Sequence, residues 1–212
     1  MNNGLFITLE GGEGAGKSTQ AAFLKEYFEK KGQAVLLTRE PGGTVEAEKI
    51  RNLIVDRNGG HWDAFEETLL LFTARHNHLT QKIKPALANN MIVICDRFTD
   101  STIAYQGYGH GLALNKIRDI QKLTIGDFAP NLTFLFDLSP EIGLQRSHQR
   151  MANTGATEDR FEKLNIEFHN RLRAGFLNMA EAEPRRFSII NAAQSIEIIQ
   201  TALLAELSKR GL

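Results

Sequence analysis

The sequence predicts an α/β fold of three layers, in which helices flank a five-stranded parallel sheet on both faces. Five short apolar runs recur along the 212 residues of the chain. Amphipathic stretches separate these runs, which is the alternation that βαβ units produce. A glycine-rich segment, residues 11–16, follows the first apolar run and precedes the first amphipathic stretch. In such a fold, ligands bind beyond the carboxyl ends of the strands.

The apolar runs are the predicted strands. Because their residues are almost all apolar rather than alternating with polar ones, the strands should be buried on both faces, as in a parallel sheet. The predicted strands are residues 5–9, 34–38, 91–95, 132–136 and 187–190. The crossovers that connect them should be right-handed.

The stretches between the strands carry apolar side chains at helical spacing. The predicted helices are residues 19–31, 45–55, 64–87, 101–106, 116–125, 140–150 and 195–207. Gly32 marks the end of the first helix, and Pro85 should kink or split the third. Ser139 followed by Pro140 is typical of a helix N-terminus.

The chain length indicates one domain, residues 1–212. Within it, residues 152–158 (ANTGATE) are small and polar and lack periodicity. We expect them to form a flexible loop, and we assign residues 146–160 to a short mobile lid.

Composition limits the partners and the compartment. The formal net charge is zero, from 25 basic and 25 acidic residues, so a nucleic-acid partner is not expected. Cys95 is the single cysteine, which excludes an intramolecular disulfide and agrees with the reducing cytoplasm. The first apolar run is too short to span a membrane and no basic residue precedes it, so we expect no membrane association.

The segment after the first strand matches the phosphate-loop pattern Gly-x-x-x-x-Gly-Lys-Ser/Thr, with a predicted strand before it and a predicted helix after it. Its residues, all expected to bind ATP, are Gly11, Gly12, Glu13, Gly14, Ala15, Gly16, Lys17, Ser18 and Thr19. Backbone N–H groups of such a loop converge on an anion, and the following helix adds its positive end. Lys17 should contact the β- and γ-phosphates. The dinucleotide-binding pattern Gly-x-Gly-x-x-Gly does not fit the glycine spacing.

A carboxylate follows the third predicted strand. Asp96 comes directly after the apolar run at residues 91–95. In a P-loop NTPase fold this position serves the metal ion or its waters. We therefore expect Ser18 and Asp96 to hold the Mg²⁺ that accompanies ATP.

GTP-binding switch proteins are disfavoured. The guanine-reading pattern Asn-Lys-x-Asp has its nearest match at residues 115–118, which end in arginine. Residues 56–59 imitate the switch pattern Asp-x-x-Gly, but no apolar strand precedes them.

Arginines are numerous where this fold places its ligands. Seven arginines are candidates for phosphate binding: Arg39, Arg51, Arg75, Arg97, Arg146, Arg150 and Arg160. Several of them follow predicted strands or lie in the predicted lid. Guanidinium groups suit bidentate phosphate binding. Two phosphate-bearing substrates would explain so many of them.

The sequence resembles the bacterial thymidylate kinases over essentially its whole length. The segments that carry the resemblance are residues 11–19 (GGEGAGKST), 38–44 (TREPGGT), 48–51 (EKIR), 96–98 (DRF), 104–107 (AYQG), 135–140 (LFDLSP) and 159–162 (DRFE). The phosphate loop is shared by many families, whereas the combination of TREPGGT, DRF and AYQG is quite specific.

The resemblance implies an activity. The γ-phosphate of MgATP would pass to the 5′-phosphate of dTMP, giving dTDP for dTTP and DNA precursor synthesis. It also implies a homodimer. Another deoxynucleoside monophosphate kinase and a nucleotide-dependent switch protein remain as alternatives.

The resemblance also implies roles for residues that bind the acceptor phosphate and sugar. Arg51 and Arg97 would hold the acceptor phosphate, and Arg97 would take part in catalysis. Glu40 would lie near that phosphate and a magnesium ion. Glu13 would lie near the 3′-hydroxyl, and Tyr105 would crowd the 2′ position and so favour deoxyribose.

Four further residues would contact the base. Phe72 would stack on thymine, Arg75 would contact a thymine carbonyl, and Thr102 and Gln106 would line the base site. Relatives usually place the stacking aromatic and the arginine four residues apart, whereas here the spacing is three. Both spacings share a helix face, so either contact can shift by one turn.

The transferring phosphoryl group needs a cation that the loop does not supply, because Gly14 has no side chain. In the bacterial type this arginine lies in the lid. Arg150 is therefore the first candidate for the catalytic arginine, alongside Lys17, and Arg146 is the second. Arg160 is expected to lie along the adenine of ATP.

Overall fold

One parallel sheet of five strands organises the computed structural model, which describes residues 4–55, 60–154 and 160–212. The strands are β1 (Leu5–Glu10), β2 (Val35–Arg39), β3 (Ile92–Asp96), β4 (Leu132–Asp137) and β5 (Phe187–Asn191). Their order is β2-β3-β1-β4-β5, and every neighbouring pair is parallel. The predicted fold class is confirmed.

Each observed strand ends one residue beyond the predicted apolar run, and that residue is polar in every case. The final residues are Glu10, Arg39, Asp96, Asp137 and Asn191. The strand register places Asp96 opposite both Arg39 and Leu9. Because the strands are parallel, these polar ends lie along one edge of the sheet, where ligands bind in this fold.

Helices cover both faces of the sheet. They are α1 (Lys17–Lys30), α2 (Val45–Val55), α3 (Ala64–His78), α4 (Lys84–Ala88), α5 (Thr99–Thr102), α6 (Leu114–Ile125), α7 (Pro140–Thr154), α8 (Ile166–Ala182) and α9 (Ile196–Lys209). Among the described residues, none of these helices combines the length and the apolar character needed to cross a membrane.

Two π-helical segments interrupt the helical layer. Leu79–Ile83 joins α3 to α4, just before Pro85. A proline removes one helical hydrogen bond and crowds the preceding turn, which the wider π turn accommodates. Ile103–Gly109 continues from α5 and carries the AYQG segment. The predicted split of residues 64–87 is therefore a π turn rather than a break.

Helix α8 is absent from the predicted helices. Its buried side chains include Phe168, Leu172, Phe176 and Met179, which recur at helical spacing. The side chain of Asn165 caps the helix by accepting from the backbone N–H of Phe168 at 2.9 Å. Helix α8 packs against Ile103–Gly109 and so supports one wall of the site.

Side chains of the central strands alternate between two cores. Ile7 and Ile94 pack with α1 and α9 on one face. Phe6, Val93 and Cys95 pack with α3 and α6 on the other. Burial raises the pKa of the Cys95 thiol, which agrees with an inert core residue.

Candidate active site

The phosphate loop lies between β1 and α1, at the carboxyl edge of the sheet. Gly14 (φ 66°) and Gly16 (φ 84°) adopt left-handed backbone conformations, which glycine enters without a Cβ penalty. A Cβ at Gly14 would also collide with the carbonyl oxygen of Gly143 in α7. Because α1 begins at Lys17, its positive N-terminal end faces the loop. The loop therefore has the geometry of an anion cradle.

Lys17 is a cation held inside this cradle. It is 7% exposed, and its ammonium donates to the carbonyl oxygens of Gly11 (3.1 Å) and Gly12 (2.8 Å). Burial disfavours the charged form and Arg97 adds repulsion, which together lower the pKa of Lys17 to about 8. A bound phosphate would stabilise the charged form.

The lowered pKa of Lys17 predicts a pH dependence. In the free protein the ammonium loses its proton as the pH rises through about 8. The value of kcat/KM for ATP should therefore fall above that pH, approaching about tenfold per pH unit. At saturating ATP the phosphates keep Lys17 protonated, so kcat should stay level to a higher pH. Profiles of both constants test this, and a kcat/KM for ATP that stays flat from about pH 7 to about 9.5 would contradict it.

Ser18 and Asp96 form a candidate metal pair. The Ser18 hydroxyl donates to Oδ2 of Asp96 at 2.8 Å, next to the loop. Within residues 4–55, 60–154 and 160–212, no cluster of three or more His, Cys, Asp or Glu side chains could hold a metal by itself. One hydroxyl and one carboxylate fit Mg²⁺, which is usually bound by one or two protein oxygens together with substrate phosphates and waters.

Two cavities meet beside the loop. The phosphate groove, about 320 Å³, runs along residues 13–19 and Asp96. The side cavity, about 200 Å³, includes in its lining Leu71, Arg75, Thr102, Gln106 and Phe161. The side chains that line both cavities are Glu13, Glu40, Arg51, Arg97 and Arg150. A ligand in the side cavity can therefore direct an anionic end towards the phosphate groove.

Arg97 is the central cation of this junction. Its backbone is left-handed (φ 70°), a conformation that non-glycine residues keep mainly where the surroundings enforce it. Its guanidinium donates to the carbonyl of Gly11 (3.0 Å), the hydroxyl of Ser101 (3.1 Å) and the carboxylate of Glu13 (2.9 Å). Burial opposes its charge, but Tyr105 and Glu13 outweigh burial and raise the pKa of Arg97. Arg97 is a fixed, permanent positive charge.

Glu13 connects the loop to the side cavity. Its carboxylate accepts from Arg97 and from the hydroxyl of Tyr105. Burial acts to raise its pKa, but Arg97, Lys17 and the Tyr105 hydrogen bond lower the pKa of Glu13 to about 2. The Arg97 guanidinium also lies over the Tyr105 ring, 5.0 Å from its centroid. Glu13 and Tyr105, for which the resemblance implies separate roles at the sugar, thus lie in direct contact.

Glu10 anchors the segment that presents Arg97. Its carboxylate accepts from the backbone N–H of Phe98 (2.7 Å) and from the hydroxyl of Ser101 (2.6 Å). Burial and the nearby charge of Asp100 raise the pKa of Glu10. No motif pointed to this role, but the position of Glu10 at the end of β1 is a usable signal.

Glu40 and Arg75 form a buried ion pair between β2 and α3. Nε of Arg75 donates to Glu40 at 2.6 Å, and the His78 ring lies 3.0 Å from the other carboxylate oxygen. Nη2 of Arg75 donates to the carbonyl of Phe98 (3.1 Å) and to the hydroxyl of Thr102 (3.0 Å). These contacts fix the guanidinium on the wall of the side cavity. Thr102, predicted to touch the base, acts here as a support for Arg75.

Phe72 does not lie where the sequence analysis expects it. Its ring is fully buried in the core, with the Arg75 guanidinium 4.6 Å from its centroid. Leu71, one residue earlier and four before Arg75, lines the side cavity instead. The predicted stacking role of Phe72 is not supported, and the apolar wall belongs to Leu71. The four-residue spacing of relatives is a signal that could have found this shift.

Gln106 and Arg160 meet at one buried carboxylate. Nε2 of Gln106 donates to Glu67 at 2.9 Å, and Arg160 forms an ion pair with the other oxygen of Glu67. Arg160 also donates to the carbonyl of Ile54 at 2.8 Å and lines the side cavity. The structure thus places Arg160 on the side cavity, and not along the adenine of ATP, where the sequence analysis expects it. Glu67 was missed because no motif includes it.

The two candidate catalytic arginines lie on α7 in different surroundings. Arg150 lines both cavities, is 57% exposed, and lies 3.8 Å from Glu162. Arg146 donates to the carbonyl of Ala192 at 2.8 Å, just beyond β5. Arg51 donates to the carbonyl of Pro41 at 2.9 Å and faces the junction. Of the two candidates, the geometry favours Arg150. The predicted lid includes residues 155–159, which lie outside the described residues.

The phosphate loop holds a buried lysine beside a candidate metal pair, and the side cavity shares three arginines with the phosphate groove. These features define a P-loop phosphotransferase with room for two phosphate-bearing ligands. The chain belongs to the thymidylate kinase family. The family model for thymidylate kinase matches residues 9–203.

Individual relatives agree with this assignment. The chain is 48% identical over 200 residues to a thymidylate kinase of Pseudomonas syringae pv. tomato, which covers 94% of this chain and 93% of the relative. It is 45% identical over 207 residues to a thymidylate kinase of Magnetococcus marinus, covering 98% and 97%. A crystal structure of thymidylate kinase from Ehrlichia chaffeensis superposes with a TM-score of 0.77 at 35% identity, covering 97% and 99% of the two chains.

Proposed function

We propose that the protein transfers the γ-phosphate of MgATP to the 5′-phosphate of dTMP, giving dTDP and ADP. The product would be used for dTTP and DNA precursor synthesis, and we place the protein in the cytoplasm, where these nucleotides are made.

Two buried polar atoms on the wall of the side cavity carry this proposal. Nη1 of Arg75 is a donor and Oε1 of Gln106 is an acceptor, and within the described residues neither has a hydrogen-bond partner. Buried polar groups without partners are rare, so both are expected to meet a ligand. Thymine presents the C4 carbonyl oxygen beside the N3–H donor, which complements this pair. Cytosine presents an amino group, which would set a donor against the Arg75 donor, and an unprotonated N3, which would set an acceptor against the Gln106 acceptor.

The junction residues supply what phosphoryl transfer requires. The reaction depends on positioning and charge neutralisation more than on covalent chemistry by the protein. Arg97 and Arg51 would hold the acceptor phosphate, and Lys17 would hold the β- and γ-phosphates. Arg150 would stabilise the charge on the transferring group. The acceptor oxygen is already anionic, so no general base is required.

The remaining site residues would orient the substrates. Ser18 and Asp96 would hold Mg²⁺, which when bound neutralises charge on the ATP phosphates. Glu40 would fix Arg75 against the base. Tyr105, held by Glu13, would occupy the space that a 2′-hydroxyl needs.

A coupled assay of ADP release tests the proposed activity. With MgATP alone the protein should release little ADP, and added dTMP should raise the rate by orders of magnitude while added thymidine should not. Mass spectrometry should identify dTDP as the product. ATP binding without turnover in the presence of dTMP would instead favour a switch protein.

We also infer a homodimer that uses the outer faces of α2 and α3. Leu53 of α2 and Phe65 and Leu69 of α3 are apolar but 42–43% exposed. Phe65 and Leu69 are four residues apart and share one helix face. Exposed apolar patches often mark partner surfaces, and the resemblance to thymidylate kinases favours a second copy as the partner.

A charge on this surface should break the dimer. Leu69→Glu would bury a carboxylate without a partner, so we expect the dimer Kd to rise by at least about tenfold. Ile198→Glu on α9, where the wild-type residue is also exposed, is the matched control and should leave the Kd unchanged. Sedimentation velocity measures both. A monomeric wild-type protein, or equal effects of the two changes, would contradict the inference.

A further inference from the structure

The orientation of the Gln106 amide decides what the side cavity offers to a base. An amide group carries a donor side and an acceptor side of nearly equal shape. Nε2 of Gln106 faces Glu67 at 2.9 Å, and Oε1 is buried without a hydrogen-bond partner among the described residues. An ionised carboxylate only accepts hydrogen bonds. Glu67 therefore holds the amide nitrogen towards itself and leaves the oxygen on the opposite side of the amide, without a partner in the described part of the chain, in a residue that lines the side cavity.

Glu67 is itself held in place. It is 1% exposed and lies in the first turn of α3. One of its oxygens accepts from Gln106, and the other forms an ion pair with Arg160. Arg160 is in turn fixed by the carbonyl of Ile54 at the end of α2. The carboxylate is therefore held by a hydrogen bond at one oxygen and by the charge of Arg160 at the other.

We propose that Glu67 is a positioning residue that sets base specificity. It touches no substrate, but it holds the acceptor side of the Gln106 amide towards the base. This inference rests on the proposed function, in which a pyrimidine monophosphate occupies the side cavity. The bases that the arrangement selects are those with a donor at N3, which are thymine and uracil rather than cytosine.

Replacement by glutamine separates this role from packing. In Glu67→Gln the new side chain has nearly the same shape, but it can donate as well as accept. The Gln106 amide can then flip, so that its NH₂ group rather than its oxygen faces an unprotonated N3. Arg75 is unchanged and still opposes a 4-amino group. The preference for thymine should therefore shrink without inverting.

The test compares dTMP with 5-methyl-dCMP, which keeps the methyl group and differs only at C4 and N3. The ratio of their kcat/KM values should fall by at least about tenfold in Glu67→Gln, the range expected when a mismatched buried hydrogen bond is relieved. Glu66→Gln, which removes the neighbouring exposed carboxylate of the α3 capping box, should leave the ratio within about twofold. A purely structural role for Glu67 would lower both kcat/KM values alike and leave the ratio unchanged.

The possible failures are distinguishable. If the wild-type protein does not phosphorylate dTMP, the proposed function fails. If it prefers dTMP and Glu67→Gln keeps the wild-type ratio, only the role of Glu67 fails. A crystal structure of the wild-type protein with dTMP tests the same point without a variant. It should show Gln106 between Glu67 and N3 of the base, and a base whose N3 contacts another group would overturn the inference.

Discussion

Replacing Arg150 by alanine should lower kcat by about a thousandfold or more, the range seen for arginines that stabilise a transferring phosphoryl group. The Kd of dTMP should change little. Arg150 lines both the phosphate groove and the side cavity, so its guanidinium can reach the group that moves between them. An interaction made mainly in the transition state affects kcat and leaves ground-state binding nearly intact.

Arg146→Ala is the matched control for this experiment. Arg146 lies one turn earlier on the same helix, but its guanidinium is bound to the carbonyl of Ala192. Its loss should raise the KM for ATP more than it lowers kcat. Steady-state kinetics with calorimetric dTMP binding measure both variants. A near-normal kcat for Arg150→Ala together with a collapsed kcat for Arg146→Ala would assign the catalytic role to Arg146.

Replacing Lys17 by methionine should lower kcat by about a hundredfold to a thousandfold, as removal of one preorganised electrostatic contact does in other enzymes. The change removes the buried charge but keeps an unbranched side chain that is only one atom shorter. Because burial already disfavours the Lys17 ammonium, its removal should leave Tm unchanged or raise it. Lys17→Met should therefore lower kcat without lowering Tm.

Lys25→Met on the same helix is the control. The side chain of Lys25 is 42% exposed and pairs with Glu29 at 3.7 Å, and pairs of this kind contribute little. Its loss should leave kcat within about twofold, consistent with so small a contribution. Calorimetry and steady-state kinetics test both variants. If Lys17→Met lowers Tm sharply and kcat only in proportion to the folded fraction, then Lys17 supports the loop rather than the reaction.

The strands were predictable because burial on both faces leaves a continuous apolar run, which the sequence shows directly. Their last residues were not, because Glu10, Arg39 and Asp96 are polar and interrupt the run. These polar residues lie at the edge of the sheet where ligands bind. A search for apolar runs therefore finds each strand but misses its last residue, which is polar and lies at the ligand-binding edge of the sheet.

Helix α8 shows a second reason why an element can be missed in the sequence. Phe168, Leu172 and Phe176 follow helical spacing, but the two charged residues Arg171 and Arg173 lie between them. Arg171 donates to the carbonyl of Gly109 and Arg173 to Asp137. Both arginines bind neighbouring elements, although Arg171 is exposed and the Arg173 side chain is 41% exposed. Only tertiary contacts reveal that, so the apolar pattern alone was too weak to predict the helix.

Within the site, motif positions were predictable and side-chain directions were not. The phosphate loop and the pairing of Ser18 with Asp96 follow from residue types in a known order. The contact of Glu13 with Tyr105 does not, because no motif contains both residues. That Leu71 rather than Phe72 lines the side cavity depends on which face of α3 turns towards the core. The orientation of the Gln106 amide depends on Glu67, 39 residues away in the chain.

Acceptor competition tests the central claim most directly. The protein is given MgATP with equal concentrations of dTMP, dCMP and UMP, and the diphosphate products are separated by mass. The donor at Arg75, the acceptor at Gln106 and the crowding by Tyr105 predict that dTDP forms first and that dCDP and UDP trail far behind. Faster formation of dCDP than of dTDP, or phosphorylation of thymidine in place of dTMP, would contradict the account.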